Sequence, residues 1–89
     1  MMYPFMTLED GTEIVHSEQL DDGRVKVYIE TPDEKDGFHN MICYLPSYEI
    51  ENNGYSKEEV EHFTDIIRST AHLIIEFSKE GGFMNASGF

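Results

Sequence analysis

The sequence predicts an α+β fold, an antiparallel meander of three or four strands with one C-terminal helix packed on one face. Three observations predict it. Between Tyr55 and Gly82, Val60, Phe63, Ile67, Thr70, Ile74 and Phe77 recur at alternating spacings of three and four, the period of a helix with one buried face. Asp10-Gly11, Asp22-Gly23, Asp36-Gly37 and Asn53-Gly54 punctuate the rest of the chain with pairs that suit tight turns. The runs between those pairs alternate apolar and polar residues, as half-buried strands do.

Taken in order, Tyr3 to Glu9 is the first predicted strand. Thr12 to Leu20 is the second, with Ile14, His16 and Leu20 on one side. Arg24 to Thr31 is the clearest, with Val25, Val27 and Ile29 inward and Lys26, Tyr28 and Glu30 outward. Thr31 to Gly37 reads as a solvated loop. Phe38 to Leu45 is the fourth strand, apolar on both faces: Phe38, Ile42 and Tyr44 on one, Met41, Cys43 and Leu45 on the other. That pattern predicts a central strand or one covered on both sides. Pro46 cannot donate to a ladder, so the strand ends, bulges or becomes an edge there, with Tyr48 and Ile50 as its continuation. Ser56 and Glu59 then form a capping box, with Tyr55 and Val60 at the positions of a hydrophobic staple. Gly81 and Gly82 supply the C-cap.

At about 100° per residue the helix's apolar residues, from Leu73 round to Ala71, cover an arc of about 160°. Glu58, Glu61, His62, Asp65, Arg68, His72, Glu76 and Lys79 occupy the opposite arc. One sheet face does not cover so wide an apolar arc, and the other sheet face has no helix of its own. Both facts predict a homodimer.

The chain's 89 residues make one domain, read as 1–82 followed by a tail at 83–89 whose Phe83, Met84 and Phe89 are apolar. Eighteen Asp plus Glu against six Lys plus Arg give a formal charge of −12. Phosphate binding rests on Lys and Arg, so bare nucleic acid and anionic membranes are poor partners. Basic proteins and cations suit the charge better. Cys43 is the only cysteine, which excludes an internal disulfide framework and limits a zinc site to one thiolate. The N-terminus lacks a basic region and a long apolar run, so no secretory signal is read and a cytoplasmic location is expected. No apolar run approaches a membrane span.

Candidate chemistry is sparse. His39 and Cys43 share a strand face but lie roughly 13 Å apart along it, too far to converge on one ion at zinc-ligand distances. Cys43 reads as a small buried apolar residue. His62 and His72 are about 15 Å apart along the helix and cannot share a metal within one chain. Glu58 and Asp65 can both reach His62. His16, in phase with Ile14 and Leu20, reads as a hydrogen-bonded core residue or the wall of a pocket. The loop from Asp33 to Gly37 lacks the twelve-residue spacing and closing Glu of an EF-hand. No glycine-rich phosphate loop and no nucleophile elbow is present. Tyr44, Tyr48 and Tyr55 surround Leu45-Pro46-Ser47, either as a recognition surface or as the plug at the open end of the sandwich.

Three stretches together resemble short uncharacterised acidic proteins of anaerobic Firmicutes: Asp10-Gly11-Thr12-Glu13-Ile14-Val15-His16-Ser17, Cys43-Tyr44-Leu45-Pro46-Ser47-Tyr48, and Ala71 to Phe77 with Gly81-Gly82. That group has no assigned activity, so no functional residue carries over. The order of three strands and a helix resembles HicB-like antitoxins at the level of fold. This chain lacks their glycine-rich signature, and its fourth strand runs differently.

Two functions are therefore expected. The first is a protein-interaction or regulatory module, with Glu58, Glu61, Asp65 and Glu76 engaging a basic partner. The second is a small-ligand-binding protein or enzyme with a pocket near His16, His39 and Tyr44. No catalytic residue, metal ligand or cofactor is assigned, and an enzyme is the less expected outcome because so small a domain encloses a cavity with difficulty.

Overall fold

The computed structural model describes residues 2–33 and 37–79, with the backbone alone at 33, 37 and 38. The elements run β1 (Met2–Thr7), β2 (Glu13–Ser17), β3 (Val25–Asp33), β4 (Gly37–Leu45), β5 (Glu49–Asn53) and α1 (Lys57–Lys79). The strands form one sheet in chain order, each antiparallel to its sequence neighbour. The helix covers one face, so the fold is a two-layer α+β sandwich. The sheet has five strands, where the sequence predicted three or four. Tyr48 and Ile50 do not prolong the fourth strand. The chain reverses after Leu45 and returns as β5, which sets Ile50 opposite Cys43.

A backbone hydrogen bond from Tyr48 N to Tyr44 O (2.7 Å) closes that reversal. Tyr48 sits there at φ 61°, a left-handed conformation few bulky side chains adopt, with the Arg68 guanidinium 5.4 Å from its ring centre. A second difference lies at Thr31 to Asp33, read from sequence as loop, which continues β3 and pairs with His39 to Gly37 of β4. β2 pairs no further than Glu13 opposite Glu30, so this end of β3 is an edge on the β2 side. An edge is the setting in which a strand tolerates Pro32.

Alternation along each strand and the register between strands place the core. Ile14, Ile29 and Met41 form one cross-strand row, and His16, Val27 and Cys43 the next, with Val25 paired to Leu45. All of these are at most 1% exposed. Phe63, Ile67 and Ile74 of α1 seal them from above. Val60, Thr70 and Phe77, expected on the same stripe, are only partly buried. Thr64 and Ser78 are buried instead, their hydroxyls bonded back to Val60 O and Ile75 O.

The helix begins as its sequence requires. Ser56 N donates to Glu59 Oε1 (2.9 Å) and Glu59 N donates to Ser56 Oγ (3.1 Å), the two reciprocal bonds of a capping box. Tyr55 turns its ring onto Phe63, 4.9 Å between centres. Its hydroxyl joins Thr31 (2.7 Å), which joins Thr12 (2.6 Å), so a chain of hydroxyls ties the helix start to β3 and to the residue that leads into β2. The C-cap at Gly81 and Gly82, the tail with Phe83, Met84 and Phe89, and Asp36 of the Asp36-Gly37 pair lie outside the described residues.

Gly54 enters this junction at φ 106°, where a Cβ would stand 2.9 Å from His39 Cδ2 and 3.2 Å from Cγ. Gly23 has a similar φ of 88° but open space around it. Gly54→Ala is therefore expected to destabilise by about 1–3 kcal/mol, and Gly23→Ala by less, since only the first adds a clash to the strained backbone. Urea-unfolding midpoints of the two variants check this. Equal losses would mean that the His39 ring does not confine the position.

Candidate binding surfaces

The four carboxylates expected on the helix, Glu58, Glu61, Asp65 and Glu76, are all exposed. Asp65 pairs with Arg68 at 2.8 Å. Glu58, Glu61 and Glu76 have no ion pair among the described residues. Glu61 and Asp65 also wall an open groove of about 300 Å³ between α1 and β5, with Ile50 and Val60 in its lining. The helix thus presents solvated negative charge beside a small apolar strip.

The three residues of the expected ligand pocket are not brought together. His16 and His39 are on the helix side of the sheet, but on β2 and β4, with β3 between them. Tyr44 pairs with Lys26 and Glu49 and therefore faces the opposite side from its neighbour Cys43. His16 is fully buried between the rings of Tyr3 (5.8 Å) and Phe5 (6.3 Å). Its Nδ1 donates to Ser17 O (2.9 Å), and its Nε2 is buried without a partner among the described residues. No described cavity has His16 in its lining, so it is a core histidine with one unmet acceptor. His39 packs edge-on against Tyr55, with 5.9 Å between ring centres.

Tyr44, Tyr48 and Tyr55 do not make one cluster either. Tyr55 plugs the sandwich at the helix start, Tyr48 lies at the β4–β5 reversal, and Tyr44 belongs to the outer face. His62 lies tilted against Phe63, 5.5 Å between ring centres, and lines a groove of about 510 Å³ with Leu8, Asp10 and Ile66. Thr12, bonded to the Asp10 carboxylate through its backbone N (3.0 Å), holds that carboxyl below its usual range, with a smaller contribution from His62. Cys43 is buried, and burial pushes its thiol up to about 11. Among the described residues, no group of three or more His, Cys, Asp or Glu is placed to hold a metal ion. No described helix is long and apolar enough to cross a membrane.

The sheet face turned away from α1 is the one that the sequence reading left without a helix and gave to a second copy, without assigning its residues to a site. One cross-strand row there runs Pro4, Val15, Tyr28, Ile42 and Glu51. Val15, Tyr28 and Ile42 are only partly buried, with no described element laid over them. On one side of this row Glu13 lies directly opposite Glu30. On the other, Lys26, Tyr44 and Glu49 stand in line. The Tyr28 hydroxyl donates to Glu30 Oε1 (2.8 Å), and burial, then Glu30, pushes its ionisation up to about 12. Arg24 lies 4.5 Å from the Tyr44 ring centre with Nη1 3.4 Å from Glu49 Oε2. Outward Tyr28 and Glu30 were legible from alternation. The opposition of Glu13 and Glu30 depends on register, which no local pattern encodes.

No family model, curated protein or solved structure matches this chain.

Proposed function

We propose that this protein is a small acidic interaction module that engages a basic protein. The observation that carries the reading is uncompensated negative charge: Glu58, Glu61 and Glu76 project from one helix face into solvent, unpaired among the described residues, on a chain of net charge −12. Such a field raises the encounter rate with a cationic partner and works against nucleic acid. Exposed carboxylates contribute little affinity one by one, so they steer the partner and another surface holds it. The expected ligand pocket has no comparable support, because His16, His39 and Tyr44 sit apart.

The test is capture of a basic protein from cell lysate by the immobilised chain, at low and high salt. A second bait carries Glu58→Gln, Glu61→Gln, Asp65→Asn and Glu76→Gln. Capture that is lost at high salt and reduced for the second bait is expected, since exposed charge contacts are screened. Capture indifferent to both salt and substitution would overturn the electrostatic reading.

A further inference from the structure

The geometry points to the open sheet face, centred on Tyr28, Glu13 and Glu30, as the docking surface for an arginine-bearing segment of the basic partner proposed above. This deepens that reading and rests on it. Durable contacts need aromatic anchors and desolvated groups, and the helix's polar arc offers solvated charges and histidines with no Tyr, Phe or Trp among them. The sheet face offers Val15, Tyr28 and Ile42 in one row, partly exposed, with Glu13 and Glu30 on one side and Lys26, Tyr44 and Glu49 on the other.

Charge selects the occupant. Glu13 and Glu30 are directly cross-strand, an arrangement that destabilises an antiparallel pair when both are charged. Neither has an ion pair among the described residues. A cation laid between them relieves the repulsion. A second copy of this face would bring Glu13, Glu30, Glu49 and Glu51 against the same four carboxylates, with Lys26 and Arg24 as the cations beside them and Arg24 already held by Asp22 and Glu49, so net charge disfavours self-association here.

The molecule already contains the recognition chemistry in miniature. Arg24 lies over Tyr44 while its Nε donates to Asp22 Oδ2 (2.7 Å) and its Nη1 reaches Glu49 Oε2 (3.4 Å), a guanidinium held by a ring and carboxylates. Tyr28 with Glu30 and Glu13 repeats that ring-and-carboxylate set one row away, without an internal arginine. A planar guanidinium can stack on the ring and fork to a carboxylate together, whereas an ammonium acts as a point charge. The partner's segment therefore carries arginine in preference to lysine, with apolar residues between for Val15 and Ile42.

The experiment is an amide-resolved NMR titration of the full chain with a short peptide alternating arginine and valine, repeated with its lysine counterpart. Shifts centred on Val15, Tyr28 and Ile42 are expected, with tighter binding of the arginine peptide. Glu13→Gln and Glu30→Gln are each expected to weaken binding by roughly two- to fivefold. Both are expected to raise the melting temperature, because they remove the cross-strand repulsion, so weaker binding cannot be ascribed to misfolding. Shifts confined to Glu58 through Glu76 would overturn this surface and leave the acidic module standing. Self-association through the same face without peptide would overturn it in favour of a second copy. No binding of either peptide at low salt would overturn both.

Discussion

Ile67→Ala is expected to bring the protein to the edge of unfolding. Ile67 is fully buried and sits midway along the one helix that covers the sheet. Removing its side chain deletes apolar contact and leaves a cavity that the packed β3 and β4 side chains cannot collapse into, at about 2–5 kcal/mol. An 89-residue domain has roughly 4–13 kcal/mol in total at the usual stability per residue. The helix contributes its stripe as a unit, so the loss is felt along the whole interface with Met41 and Cys43. Chemical denaturation followed by far-UV circular dichroism measures it. A loss below about 1 kcal/mol would mean that α1 packs loosely and that the sheet carries the fold.

The second large effect is alkaline. Cys43 is fully buried and its thiol is pushed up to about 11 from 9.0, chiefly by burial, with Arg68 opposing. The unfolded chain releases this proton first, so between pH 9 and 11 it binds fewer protons than the folded chain. By linkage the Cys43 contribution is complete below pH 9 and is lost as pH rises toward 11, on the order of 2 kcal/mol. Cys43→Val, close in size and without a proton, is expected to flatten that part of the stability profile. Tyr28, pushed up to about 12, extends the same sign of effect to higher pH and is unaffected by the substitution. Thiol labelling gives an independent readout. At pH 8 the native protein should react at least about a hundredfold more slowly than the denatured chain, since both access and thiolate are suppressed. Rapid labelling of native Cys43 would overturn its assignment to the core.

What the sequence made legible was local. The capping box at Ser56 and Glu59 needs only a three-residue spacing, and both of its hydrogen bonds are present. Val25, Val27 and Ile29 announced their face by alternation, and His16 fell correctly in phase with Ile14. β5 was not legible because Glu49–Asn53 is an edge strand with one apolar residue, Ile50, and its pairing to β4 comes from the preceding reversal rather than from its own composition. Thr31 to Asp33 was hidden by its proline, whose cost depends on whether a neighbouring strand is present. For the candidate site, the exposure of Glu58, Glu61, Asp65 and Glu76 followed from helical period. Grouping Tyr44 with His39 ignored a parity that was readable, since residues an odd number apart on one strand face opposite ways. The Glu13–Glu30 opposition was out of reach, because it belongs to two strands at once.

The strict neighbour-to-neighbour order of the sheet has a consequence for how the chain is made. Each hairpin needs only a short loop to close, so pairing can follow the nascent chain as it emerges. The layer that shields the sheet is encoded after all five strands. Until residues 57–79 leave the ribosome, Val25, Val27, Ile29, Met41 and Leu45 line an uncovered apolar face, the kind of surface on which unfinished chains associate. The acidic residues that precede the helix, from Glu13 to Glu51, already charge that intermediate and keep copies apart. The same charge proposed to select the finished protein's partner thus guards the unfinished one.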